Sequence, residues 1–170
     1  MKATQFVQVT LNAMHQAMLS DVKGLTPAQL AWKPAPNANP IGFLFWHTAR
    51  VEDLAVSNWL KKPQVWEEGR WFEKLGLDAK VFGTGFKEPE VDQAAKMPLD
   101  VVTAYVEAVF RNTDVYVISL DDARLDFVPN PQRPNATVAT AINNFLIGHG
   151  WSHVGEIRYV KGMQGMPGEH

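Results

Sequence analysis

Val7, Leu11, Met14, Met18, Val22 and Leu25 recur at intervals of three and four residues, which lines them along one face of an α-helix. Three later segments repeat that period. Asn39-Pro40 offers a cap followed by proline at the first helical position, and the stripe Leu44, His47, Thr48, Val51, Leu54 and Ala55 then runs to about Leu60, before Pro63. A third helix is expected from Pro98, carrying Val102, Tyr105, Val109, Thr113, Tyr116 and Leu120. A fourth is expected from Asn135 or Thr137, carrying Val138, Ile142, Phe145, His149, His153, Glu156 and Val160 as far as Gly162. No segment alternates apolar and polar residues as a strand would. The pattern predicts an all-α protein, a four-helix bundle in one domain over residues 1–170, with a loose tail from about residue 163.

Between these stripes, Thr26-Pro27-Ala28-Gln29 reads as a capping box opening a short helical turn. Residues 61–97 form a long connection rich in glycine and proline, with a short helix expected at Trp71–Leu75. A short loop would force the second and third helices to run antiparallel, whereas a crossover of this length lets them run parallel.

Composition narrows the chemistry. There are no cysteines, so disulfides, thiolate ligands and a cysteine nucleophile are excluded, and any metal chemistry falls to His, Asp and Glu. The net charge is −2 with no basic run, which argues against nucleic acid and anionic membranes as partners. The N-terminus lacks an apolar signal core and no stretch is apolar for a membrane-spanning length, so a cytoplasmic location is expected.

Three of the five histidines fall on apolar stripes of two different helices. His149 and His153 are four residues apart, one turn of the same face, with Cβ atoms roughly 5–6 Å apart. Their alignment with Ile142 and Phe145 points that face inward, and His47 lies within the second stripe. A buried neutral imidazole must satisfy a donor and an acceptor, and a shared metal ion would serve three acceptors at once. Spacing alone leaves two readings open: a metal site, or separately hydrogen-bonded core histidines.

Two segments carry a family resemblance. Gly148-His149-Gly150-Trp151-Ser152-His153-Val154-Gly155-Glu156-Ile157, continued to Gly162, resembles the last-helix signature of the DinB-like superfamily. Ile41-Gly42-Phe43-Leu44-Phe45-Trp46-His47-Thr48-Ala49-Arg50-Val51-Glu52-Asp53-Leu54 is similar to its second helix, and Leu25 to Pro34 to the preceding link. The resemblance implies an up-down-down-up four-helix bundle with a divalent metal, zinc or nickel, held by His47, His149 and His153. Many members have Gln where this chain has Glu156.

Three imidazoles that leave a coordination position open suit a reactive metal site better than a closed structural one. Glu156 lies on nearly the same face as His149 and His153, where it could be a fourth ligand, a general base, a partner for an imidazole N–H, or simply a salt-bridged carboxylate. Arg50 could hold an anionic substrate group or pair with a surface acid. His15 is expected as a boundary residue beside the first stripe and His170 as part of the tail, while Trp46 and Trp151 are expected to pack between helices or subunits. The resemblance implies a thiol-dependent S-transferase that takes a low-molecular-weight thiol and a small electrophile. Metal-dependent hydrolysis and a non-enzymatic, stress-related binding role are the alternatives, and a homodimer is expected.

Overall fold

The computed structural model describes residues 1–166, with the side chain of Leu60 left aside. Helix makes up 67% of it and no strand occurs among the described residues, the all-α class that the periodicities predict. Long helices are α1 (Ala3–Val22), α3 (Ile41–Leu60) and α7 (Leu99–Ile118). A fourth long helical run is composite: α9 (Val138–Ile142), a π-helix (Asn143–Gly148) and α10 (His149–Met163). Shorter helices fill the connections: α2 (Pro27–Ala31), α4 (Val65–Glu68), α5 (Trp71–Leu75), α6 (Glu88–Ala95) and α8 (Asp122–Leu125).

The second long helix starts one residue later than its sequence suggests, with Pro40 as the cap, and Thr26 and Gln29 form the expected capping box on α2. α3 packs against both α7 and α10, and α1 packs against the same two helices. The stripes supply the core: Leu11, Met14, Met18 and Val22 from α1, Leu44 from α3, Val102, Tyr105 and Val109 from α7 are all buried. The first half of α3 is buried all round, from Phe43 to Arg50. One stripe does not predict that. The cause is the crossover, whose helix α6 lies so close that a Cβ on Gly42 would stand 2.6 Å from the Ala95 carbonyl oxygen.

α10 is fixed against α1 through one buried acid. Asp21, 1% exposed, accepts from Arg158 Nε at 2.6 Å and Lys161 Nζ at 3.0 Å. Beyond α10, Gln164 Nε2 donates to the Gln29 carbonyl at 3.1 Å and Met166 packs on the core, so this part of the expected loose tail is seated against α2. The rest of that tail, His170 included, lies outside the described residues. No helix among the described residues is long and apolar enough to cross a membrane.

Candidate metal centre

The π-helix sets the register of the histidines. In an unbroken α-helix Phe145 would share the inner face with His149. The wider turn of a π-helix takes up an extra residue, so Leu146 fills the core at 1% exposure while Phe145 swings out to 51%. The expectation that Phe145 points inward is therefore corrected. Below the π-helix, Gly150, Val154, Ile157 and Val160 form the buried line of α10, and His149 and His153 sit half-buried on its flank.

From there they meet His47 of α3. One ring nitrogen from each of the three histidines lies within 4.8 Å of the other two. The ring centroids of His47 stand 5.3 Å from His149 and 5.4 Å from His153. His149 Nε2 and His153 Nε2 are 3.1 Å apart.

Two of the rings have their other nitrogen occupied. His47 Nδ1 donates to the Phe82 carbonyl at 2.7 Å, and His153 Nδ1 donates to Glu156 Oε2 at 2.9 Å. A neutral imidazole has one N–H, so these bonds leave a lone pair on the Nε2 of each ring. His149 cannot resolve the arrangement. If its Nε2 carries the proton, its buried Nδ1 is an acceptor without a partner; if Nδ1 carries it, that N–H is orphaned and two Nε2 lone pairs face each other. A cation among the three Nε2 atoms removes the lone-pair conflict, and the donor set therefore fits a divalent metal.

Burial prepares the rings to act as neutral ligands. Desolvation pushes the His149 pKa down to about 4, with the neighbouring His153 adding to the effect. Desolvation also lowers the pKa of His47, against the opposing pull of its hydrogen bond to Phe82. An unfolded histidine titrates near 6.5, so between that value and about 4 the unfolded chain binds more protons than the folded one. The metal-free protein is expected to keep this contribution to its stability above about pH 6.5 and lose it as pH falls towards 4. Urea midpoints at about pH 7 and about pH 5 check this, and the drop should shrink in His149→Ala.

Glu156 is half-exposed and ionised, its pKa lowered first by the hydrogen bond to His153. That places it behind His153, as the partner of its ring N–H. Glu156→Ala should weaken metal affinity about 10-fold or more, the effect typical of such partners, while Glu156→Gln, whose amide oxygen still accepts, should retain most of it. Competition against a chromophoric chelator reads both. An alanine variant with unchanged affinity would contradict this role.

Arg50 is placed elsewhere. It is 2% exposed, lies over the Trp66 ring, and donates to the Val81 carbonyl, Asp53, Tyr105 and Gln64. With its guanidinium engaged on all three nitrogens it has no free fork for an anion, and the substrate-binding role expected for it is not carried further. Its effect on the centre is indirect: it secures Val81, the residue before the carbonyl that holds His47. His15 is also in the core, bonded to Glu52 Oε1 at 3.1 Å and stacked on Phe110. Trp46, on α3, is fully buried against Trp66 and Phe86.

Phe82-Gly83 carries no helical stripe or ligand motif, yet it shapes the site. Gly83 has φ +92, and a Cβ there would stand 2.6 Å from His47 Nδ1. Only glycine combines that backbone with so close an approach to the ring. The available signal was the Gly83-Thr84-Gly85 run inside a long crossover.

The geometry defines a helical protein with a three-histidine centre, and comparison with known proteins gives its family. The profile of the DinB superfamily matches residues 10–157. The chain belongs to the DinB superfamily. Its fold is similar to the crystal structure of a conserved protein from Enterococcus faecalis, with a TM-score of 0.74 and 27% identity over 95% of this chain and 99% of that one. No curated protein matches the chain significantly.

Proposed function

We propose that this chain is a metal-dependent enzyme in which His47, His149 and His153 hold a divalent ion, zinc or nickel, and that it joins a low-molecular-weight thiol to a small electrophile. One observation carries the metal reading: a ring nitrogen of each of the three imidazoles lies within 4.8 Å of the other two, and no tautomer of His149 satisfies both of its ring nitrogens. The thiol reading rests on the family resemblance, and the absence of cysteine is compatible with it, since a cosubstrate would supply the nucleophilic sulfur.

When bound, such an ion supplies positive charge that favours the thiolate form of a coordinating thiol and polarises an electrophile. The chain's own groups do the rest. The Phe82 carbonyl and Glu156 fix the tautomers of His47 and His153, and burial keeps His149 neutral. Glu156, committed to His153 and held below the usual carboxylate range, suits this orienting task better than that of the general base a hydrolase would need.

The proposed scaffold is an up-down-down-up bundle. Contacts of Arg50 with Tyr105 and of Trp59 with Tyr116 support parallel α3 and α7, and Asp21 with Lys161 supports parallel α1 and α10. The His15–Phe110 stack, with Thr4 bonded to Asp122 just past the end of α7, supports antiparallel α1 and α7. For the homodimer, the outer face of that α1–α7 pair is the candidate, since Phe6, Val9, Val115 and Ile118 are all exposed there.

The test is to titrate cobalt-loaded protein with low-molecular-weight thiols. A new sulfur-to-metal absorption band in the wild type, absent from His149→Ala, is expected. No spectral change and no heat of binding with any thiol would overturn the transferase reading.

A further inference from the structure

Two clefts lie on the seam between α3 and the composite C-terminal helix, on either side of the triad in sequence order, and one carries more polar groups than the other. Along α3 the order is Leu44, His47, Val51; along the partner it is Glu156, His153, His149, Phe145. One cleft pairs Leu44 with Glu156 and Val160 and is edged by Asn37, Asn39 and Ser152. At the other end is a cleft of about 350 Å³ lined by Val51, Leu54, Ala55, Trp59, Phe82 and Phe145.

Three of those walls adjoin the triad directly. Val51 is one helical turn beyond His47, Phe145 is about one turn before His149, and the Phe82 carbonyl bonds His47. Asn58 and Thr84 complete the lining, so no charged side chain faces this cleft. A cavity of about 150 Å³ is enough for a benzene ring, and small-molecule pockets begin at about 300 Å³. The π-helix has a consequence here. By turning Phe145 out of the core, it supplies an aromatic wall that an unbroken helix would have buried.

We infer that this cleft seats the uncharged, aromatic or branched apolar body of the electrophilic substrate, with its reactive end at the histidine triad. The inference rests on the metal reading above and adds the substrate class. The cleft at the opposite end carries the Glu156 carboxylate and two asparagines beside its apolar walls, so an uncharged ring is better matched on the Val51–Phe145 side.

Hydroxamates, which chelate metal ions, test the two readings separately. Acetohydroxamate and cinnamohydroxamate are titrated into cobalt-loaded protein and followed by the cobalt spectrum. The aryl probe should bind at least about ten-fold more tightly, and a carboxylate at the far end of its ring should cancel the gain. Ala55→Trp, which fills the cleft, should abolish the gain while leaving acetohydroxamate affinity and the cobalt spectrum as they were. Phe145→Ala removes an exposed wall, carries little risk to folding, and should cut the gain to less than about three-fold. Equal affinity for both probes, or a gain that survives both variants, overturns the substrate class alone. A protein with no cobalt spectrum dependent on His149 overturns the metal reading, and the substrate class falls with it.

Discussion

Replacing His149 with alanine is expected to weaken divalent-metal affinity by roughly a hundred-fold or more, the largest effect of any single substitution at the centre. Structural zinc sites with four ligands bind with about 10–16 kcal/mol, so one ligand accounts for about 3 kcal/mol. His149 has the added property that nothing else in the protein uses its ring well: its Nδ1 is buried without a partner and its Nε2 faces His153 Nε2 at 3.1 Å. Removing it costs the metal-free protein the Nε2 contact with His153 but also takes away a buried, unpaired Nδ1. The variant should therefore fold about as well as the wild type near neutral pH while losing the ion. Calorimetric metal titration and urea unfolding, made on the same sample, read the two halves of that expectation. A variant that binds metal as the wild type does would remove His149 from the ligand set.

Asp53→Ala should be the most destabilising substitution near the centre, by about 3–5 kcal/mol, the usual result of removing one partner from a buried ion pair. Asp53 is fully buried and accepts five hydrogen bonds. Its Oδ2 takes Arg50 at 3.1 Å, Tyr105 at 3.0 Å and the Trp66 N–H at 2.9 Å; its Oδ1 takes the Val65 N–H at 2.9 Å and Ser57 at 3.2 Å. Burial raises its pKa, and the backbone N–H groups of Trp66 and Val65 together with Arg50 pull the other way. Without it, the Arg50 guanidinium stays in the core with no counter-charge and the start of α4 loses its acceptor.

The damage should also reach the metal. Arg50 Nε holds the Val81 carbonyl at 3.2 Å, and the next carbonyl, that of Phe82, holds His47. Asp53→Ala is thus expected to weaken metal binding even where the variant remains folded, whereas Asp53→Asn, which keeps one acceptor oxygen, should be intermediate in both respects. A drop in urea midpoint of less than about 1 kcal/mol equivalent would contradict this account of the network.

The long helices were legible in the sequence because burial on one side leaves a period of three to four residues, and His47, His149 and His153 were legible because each interrupts such a stripe. Other features have no periodic signature. The π-helix changes which of Phe145 and Leu146 faces the core, yet Asn143 to Gly148 reads as ordinary helix, since a single extra residue in one turn leaves the surrounding spacing intact. Arg50 falls three residues after His47, close enough along α3 to suggest a shared cavity. Its actual environment comes from residues 64, 81 and 105, and a pattern confined to one helix cannot report contacts that distant. The simplest role expected of the crossover is geometric. Its Phe82-Gly83 segment also fixes the tautomer of His47, a role set by one carbonyl oxygen and by the absence of a side chain.

The central claim is that the three Nε2 atoms share one divalent ion. Diffraction from zinc-loaded crystals at energies either side of the zinc edge tests it most directly. The account predicts one strong anomalous peak bounded by the Nε2 atoms of His47, His149 and His153, with His47 Nδ1 still bonded to Phe82 and His153 Nδ1 to Glu156. No peak among the three rings, or a metal held through the Nδ1 atoms with those two hydrogen bonds broken, would contradict it.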